Sequence, residues 1–229
     1  MPELALKCIE SWHHYMPNYD YKLWNEDNFD IHSNQYVREA YEAKKYAFVS
    51  DYVRLFALHK EGGIYMDTDV EVIKPYDELL HLTGFIGFDG TKHHPIGTGT
   101  IACMANGEWV TEQLHAYDEI HFINPDGSYD MTTNPTRITR IMAKNGFVNN
   151  GKEQDYKDIH VFPTDYFCPR QTTGELFYSE NTFCDHHFMA SWVDAKLVWK
   201  KYLTMVVGSK NMTRLIKLKR KLTGNANTY

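Results

Sequence analysis

The sequence GGIYMDTDVEVIKP, residues 62–75, places Asp67 and Asp69 one residue apart, directly after a short apolar run. Residues two apart in an extended segment point to the same side, so the two carboxylates share a face. Like charges at that distance disfavour each other unless a cation or a strong hydrogen-bond donor lies between them. The pattern leaves two interpretations open: a solvated acidic turn, or a site for a hard divalent cation such as Mg²⁺ or Mn²⁺.

Helix-like and strand-like segments alternate on both sides of this stretch. The predicted helices cover residues 3–15, 36–60 (as two helices, the second capped by Ser50), 108–117 and 136–145. The predicted strands cover residues 21–24, 64–66, 70–73, 85–88, 100–103, 159–162 and 182–184. This alternation predicts an α/β fold with a largely parallel sheet, in which ligands bind beyond the carboxyl ends of the strands. We therefore expect the two aspartates at that edge.

Composition and charge limit the classes of protein to which the chain can belong. The chain has 229 residues and a net charge of −6, but residues 195–229 contain nine Lys or Arg and no acidic residue. We predict a catalytic-type domain at 1–194 and a basic helical tail at 195–229. The acidic domain is a poor match for nucleic acid, because it would repel phosphates. The four dispersed cysteines suit a reducing compartment, and we expect a cytoplasmic protein without a signal peptide.

The helix before the two aspartates makes the sequence motif more specific than the pair of aspartates alone. Asp51 and Arg54 are three residues apart, hence on one helical face, and Gly62-Gly63 leads directly into the acidic strand. The string S-D-x-x-R-x-x-x-L-x-x-x-G-G-x-Y-x-D-x-D resembles the sugar-nucleotide-binding signature of the DXD-containing glycosyltransferases. PELALKCIESW, WNEDNFD, TNPTRIT and DHHFMASW extend the resemblance, in order, to the bacterial capsular branch over roughly residues 2–195.

The resemblance implies a glycosyltransferase-A-type, Rossmann-like domain and a set of site residues. Asp67 would contact the ribose or a metal ion, and Asp69 would be a direct metal ligand. Asp51 and Arg54 would hold the donor sugar and its diphosphate, with Tyr65 packed beside them. The catalytic group would thus comprise Asp67, Asp69 and Arg54, and the cofactor would be Mn²⁺ or Mg²⁺.

The same resemblance implies functional residues near the late strand. His186 would be the third metal ligand, although the adjacent His187 and a purely structural histidine remain alternatives. Ser191 and Trp192 would close over the diphosphate. In the N-terminal half, Trp24 and Asn25 match the donor-side loop, with a core tryptophan followed by a turn as the alternative interpretation.

Three further segments bear on the acceptor, the sugar and the donor site. Thr133-Asn134-Pro135 is a candidate acceptor-side turn, although an Asn-Pro turn needs no function. Ile96-Gly97-Thr98-Gly99 stands where the family has I-N-T-G, which puts the sugar specificity in doubt. Family members usually also carry a strand of the type IPKIIHYCWFGG before the segment that opens this chain. Either the natural protein starts further upstream, or this chain has an opened sheet edge and a weakened donor site.

The implied reaction is transfer of a sugar from a nucleoside diphosphate sugar, with uridine diphosphate favoured, to a glycan or lipid-linked acceptor. Retention of configuration and a role in capsular or other surface polysaccharide would follow from the resemblance. The alternative is a non-catalytic glycosyltransferase-like remnant or binding module. The basic tail suggests peripheral contact with an anionic membrane surface, or else a helix that packs on the domain with its lysines solvated.

Overall fold

A computed structural model of the chain describes residues 1–90, 93–170 and 176–188, which lie in one compact unit, Met1–Met189. The helices are α1 (Glu3–Tyr15), α2 (Gln35–Glu42), α3 (Tyr46–Glu61), α4 (Glu108–His115), α5 (Asn134–Lys144) and α6 (Thr164–Phe167), with a 3₁₀ helix at Tyr76–Leu79. The strands are β1 (Gly63–Met66), β2 (Val70–Val72), β3 (Gly84–Phe88), β4 (Ile96–Cys103), β5 (Gln154–Tyr156), β6 (Ile159–Phe162) and β7 (Cys184–His186).

The α/β class is confirmed, but the strand directions correct the expectation of a largely parallel sheet. Five strands form a sheet in the order β1-β4-β3-β6-β5, and β2 and β7 form a separate ribbon. Among the described pairings, β3–β6 is parallel and the others are antiparallel. For β3 and β4 the connection explains the antiparallel pairing, because residues 89–95 are too few for the crossover that parallel neighbours require.

Several element boundaries also differ from the predictions. Residues 21–24 form no strand, and the last strand among the described residues begins two residues later than predicted, at Cys184. Ser50 is not a cap: it lies inside α3, and its hydroxyl donates to the carbonyl of Ala47. Gly62 does end α3 as predicted, with a positive φ of 69° that an L side chain adopts only under strain. The predicted basic helix from Ala195 lies outside the described residues.

Two hydrophobic clusters cover the two faces of the five-stranded sheet. Adjacent residues of β3 divide between them, since Ile86 joins the cluster beneath the longer helices and Phe85 joins the cluster beneath α6 and the β2–β7 ribbon. This alternation is the period-2 pattern of a strand buried on both faces.

The four cysteines are free and buried. Among the described residues, none of the helices has the length and apolar character of a membrane span.

The strand that follows the aspartates is fixed on both edges. On one edge, Val70 of β2 pairs with His186 of β7. On the other, the Trp12 indole N–H of α1 donates to the carbonyl of Val70 at 2.7 Å, and the Ser11 hydroxyl accepts from the amide of Val72 at 2.8 Å. Helix α1 thus closes the open edge of β2 and fixes the backbone next to Asp69.

Replacing Trp12 with Phe should keep the packing volume but leave the buried carbonyl of Val70 without its donor. We expect a loss of about 1–2 kcal/mol in the free energy of unfolding, measured by urea denaturation. Glu10→Ala, an exposed substitution on the same helix, is the matched control and should stay within about 0.5 kcal/mol of the wild type. Equal stability of Trp12→Phe and the control would contradict this role of α1.

Candidate functional site

Asp67, Asp69 and His186 converge where β1 ends and the β2–β7 ribbon begins. The amide of Asp67 donates to the carbonyl of Gly99 on β4 at 2.8 Å, which fixes the turn after β1. His186 Nε2 lies 3.3 Å from an oxygen of Asp69 and 3.9 Å from an oxygen of Asp67. One potential ligand atom from each residue lies within 4.8 Å of the others.

Strand alternation decides which of the two adjacent histidines joins this cluster. The structure places His186 beside the aspartates, whereas His187 points away and contacts Glu71 at 2.8 Å. Glu71 in turn pairs with Lys7 of α1 at 2.9 Å. The arrangement therefore brings together three of the sequence-predicted residues and separates His187 from them.

A glycine makes room for the histidine ring. A Cβ atom added to Gly99 would lie 2.7 Å from Nδ1 and 2.9 Å from Cε1 of His186, closer than real Cβ contacts allow. Glycine inside a strand often marks such a close approach. The sequence carried this signal in Gly97-Thr98-Gly99, where two glycines share one face of β4.

Arg54 links the helix before the acidic strand to the cluster. Its guanidinium is buried, with donors 2.9 Å from a carboxylate oxygen of Asp51 and 2.7 Å from the carbonyl of Thr98. The same group lies 3.4 Å from an oxygen of Asp67. Burial opposes the charge of the guanidinium, but the neighbouring carboxylates outweigh it and raise the pKa of Arg54. Arg54 is therefore a permanent cation shared between two aspartates.

Asp51 lies deeper than Asp67. Burial raises the pKa of the Asp51 carboxyl to about 6, although the charge of Arg54 acts in the opposite direction. Asn134, at the start of α5, is fully buried and donates from its amide to the Asp51 carbonyl at 3.0 Å. The Thr133-Asn134-Pro135 segment thus contacts the backbone of the Asp51 region, and its acceptor-side role stays a prediction.

Tyr65 packs between Arg54 and Asp67. Its ring lies 4.7 Å from the Arg54 guanidinium carbon, and its hydroxyl donates to Asp67 at 2.5 Å. Burial raises the pKa of the Tyr65 phenol well above its usual value of 10, so the hydroxyl stays protonated and donates a hydrogen bond. Tyr65 thus lies beside Arg54, and its expected role at the donor site stays a prediction.

The chemistry of the donor set suits a hard divalent cation. Two carboxylate oxygens and one imidazole nitrogen are ligands that Mn²⁺ accepts, and oxygen ligands predominate for Mg²⁺. Burial lowers the pKa of the His186 imidazole, but the hydrogen bond to Asp69 and the charges of both aspartates outweigh that effect and raise it above 6.5. The cluster is therefore a place where positive charge is stabilised.

Sequence reasoning missed Asp89, a further carboxylate on this side of the sheet. It follows β3, and its Oδ1 accepts from the Cys168 thiol at 3.2 Å. A Cβ atom added to Gly97 would lie 3.3 Å from the Asp89 Cβ. No motif marks Asp89 in the sequence, because its position depends on the antiparallel return from β3 to β4.

Other predicted residues lie elsewhere. Trp24 packs edge-on against Phe56 at 5.9 Å, and the Asn25 side chain accepts from the amide of Asp27 in a local turn. These contacts match the alternative interpretation of a partly buried tryptophan followed by a turn, so their donor-side role stays a prediction. Ser191 and Trp192 lie outside the described residues.

Residues 2–85 match the family described as "Glycosyltransferase sugar-binding region containing DXD motif". This stretch contains Asp51, Arg54, Tyr65, Asp67 and Asp69, so the identification as a DXD-containing glycosyltransferase region is confirmed. His186 and Asp89 lie outside the matched residues.

Two curated proteins are similar over short stretches. Glucan organizing enzyme 1 of Cryptococcus neoformans var. grubii serotype A (strain H99) is 40% identical over 48 residues, which cover 21% of this chain and 13% of that protein. Inositol phosphoceramide mannosyltransferase 3 of Schizosaccharomyces pombe is 34% identical over 74 residues, which cover 31% of this chain and 21% of that protein. This chain thus matches about a fifth or less of either relative's length.

Among solved structures, the PaToxG Glycosyltransferase is similar to this chain at a TM-score of 0.44. The two are 17% identical, and the similarity covers 64% of this chain and 65% of that one.

Replacing Gly99 with Ala should displace His186, because the added methyl group cannot share space with the imidazole ring. We expect the affinity for Mn²⁺ to fall about 10-fold or more, measured by titration calorimetry, while the protein still folds. His187→Ala is the matched control and should leave Mn²⁺ affinity unchanged, since that ring contacts Glu71 instead. Unchanged Mn²⁺ binding by folded Gly99→Ala would contradict the place of His186 in the cluster.

Proposed function

We propose that this chain, with its DXD-containing glycosyltransferase region, transfers a sugar from a nucleoside diphosphate sugar to a hydroxyl group of an acceptor. One observation carries the proposal: Asp67 and Asp69 of the matched region converge with His186, far away in sequence, beside the buried Arg54. A solvated acidic turn does not require a distant histidine and a buried guanidinium around it.

The site residues have two roles in the proposed reaction: three would bind the cation, and Arg54 would bind the donor. Asp67, Asp69 and His186 would hold Mn²⁺ or Mg²⁺, which neutralises the diphosphate leaving group when bound. Arg54 keeps its charge at every physiological pH, is fixed by Asp51 and the carbonyl of Thr98, and adds charge-assisted hydrogen bonds to the donor. Because its partners are already in place, little reorganisation is needed as negative charge develops.

Two aspartates that share a cation do not act as the acid and base of a glycosidase. In hydrolysis by paired carboxylates, the two groups flank the glycosidic bond and stand about 5 Å or more apart. Here the two aspartates face the same histidine nitrogen, at 3.3 and 3.9 Å, with one oxygen of each within 4.8 Å of the other, so they converge on one point. The arrangement therefore favours activation of a leaving group, hence transfer from an activated donor.

The proposal also covers the donor, the stereochemistry and the acceptor of the reaction. Uridine diphosphate sugars are the favoured donors, the configuration is retained, and the acceptor is a glycan or lipid-linked oligosaccharide of a capsular or other surface polysaccharide. A cytoplasmic location, with the basic residues 195–229 against an anionic membrane surface, would suit a lipid-linked acceptor. These features rest on the sequence resemblance and on the charge of the tail.

The direct test is titration calorimetry with uridine and guanosine diphosphates, with and without Mn²⁺, followed by turnover with the matching nucleotide sugars. We expect Mn²⁺-dependent binding of one nucleotide and release of nucleoside diphosphate from its sugar donor. Nucleotide binding without turnover on any acceptor or water would favour a non-catalytic binding module. A folded protein that binds neither nucleotide would contradict the proposal.

Asp69→Asn should abolish Mn²⁺-dependent turnover without unfolding the protein, because an amide is a poor ligand for the cation. We expect kcat to fall about 100-fold or more, measured as release of nucleoside diphosphate. Glu78→Gln also removes one carboxylate, from a side chain that is 74% exposed, and should keep wild-type activity. Full activity of Asp69→Asn would reject Asp69 as a ligand.

A further inference from the structure

We propose that Asp89 selects the class of sugar that the donor carries, by accepting hydrogen bonds from a neutral sugar and repelling a sugar that bears a carboxylate. The inference rests on the proposed function and adds to it the chemical class of the transferred group. It assigns a specificity role to a residue outside the matched family region.

Two contacts fix the position of Asp89. Its amide donates to the carbonyl of Pro95 at 2.6 Å, which joins the two ends of the connection between β3 and β4. Its Oδ1 accepts from the Cys168 thiol at 3.2 Å, and burial raises the pKa of that thiol well above its usual value, so the thiol remains a donor. The carboxylate is therefore held in place rather than extended into solvent.

Asp89 and His186 lie over neighbouring positions of the same face of β4. Gly97 faces the Asp89 Cβ at 3.3 Å, and Gly99 faces the His186 ring at 2.7 Å, both measured to an added Cβ atom. Two residues along a strand span about 7 Å. Asp89 therefore lies about two residues along β4 from the histidine of the cluster, within reach of a sugar that extends from a diphosphate bound there.

The position of Asp89 determines which sugars fit. A nucleotide whose diphosphate lies at Asp67, Asp69 and His186 carries its sugar directly beyond the second phosphate. Hydroxyl groups of a neutral hexose can donate to the Asp89 carboxylate in charge-assisted hydrogen bonds. A uronic acid brings a second carboxylate to the same place, and like charges in a partly buried site repel. The site should therefore prefer neutral hexoses.

The experiment compares neutral and acidic donors of each nucleotide series in the presence of Mn²⁺. The probes are uridine diphosphate, UDP-glucose and UDP-glucuronate, and guanosine diphosphate, GDP-mannose and GDP-mannuronate, titrated into wild type, Asp89→Asn and Asp155→Asn. Asp155 is the matched control, since its side chain is 80% exposed and contacts His160 on the strand β6. Thermal melting verifies that each variant is folded.

We expect the wild type and Asp155→Asn to bind the neutral donor at least about 10-fold tighter than the acidic donor of the same nucleotide. Asp89→Asn should reduce that ratio to within about 3-fold while leaving the affinity for the nucleoside diphosphate unchanged. An unchanged ratio in folded Asp89→Asn, or equal loss of nucleoside diphosphate binding, would overturn the assignment. Absence of binding by both nucleoside diphosphates would instead contradict the proposed function and, with it, this inference.

Gly97→Ala provides a second, independent variant if Asp89→Asn does not fold. Its methyl group would narrow the space beside Asp89. We expect weaker binding of the neutral donor, by about 10-fold, with unchanged nucleoside diphosphate affinity. Equal affinities of Gly97→Ala and wild type for the neutral donor would show that the sugar does not lie over β4.

Discussion

The arrangement of the site depends on the buried guanidinium of Arg54. It joins helix α3, through Asp51, to the turn after β1, through Asp67, and to β4, through the carbonyl of Thr98. A buried charge without partners would be strongly destabilising, so these elements must keep their relative positions whenever Arg54 is buried. Buried ion pairs contribute little net stability on average, and their main effect here is to fix geometry.

That geometry extends from Arg54 to the ribbon that carries His186. The Asp67 amide is tied to Gly99, the missing side chain of Gly99 leaves room for the imidazole, and the pairing of Val70 with His186 sets the register. Helix α1 closes the other edge of the ribbon. The first helix and the last described strand therefore support the same few ångströms of structure around the aspartates.

The sequence predicted the parts of this arrangement that depend on local patterns. Helix α1 has the predicted bounds, and the spacing of Asp51 and Arg54 placed both on one helical face, whereas the family resemblance implied the position of Tyr65 beside them. The sheet directions could not be predicted from element types alone, since the short return from β3 to β4 sets them. Asp89 was missed for the same reason, as only that return brings it to Gly97.

The central claim is that Asp67, Asp69 and His186 bind one divalent cation that holds a nucleotide's diphosphate. The most direct measurement is a crystal structure with Mn²⁺ and the nucleoside diphosphate, using the anomalous signal of manganese. We expect one anomalous peak about 2.0–2.3 Å from a ligand atom of each residue, with diphosphate oxygens completing the coordination. A bound nucleotide whose manganese lies elsewhere, with both aspartates facing bulk solvent, would contradict it.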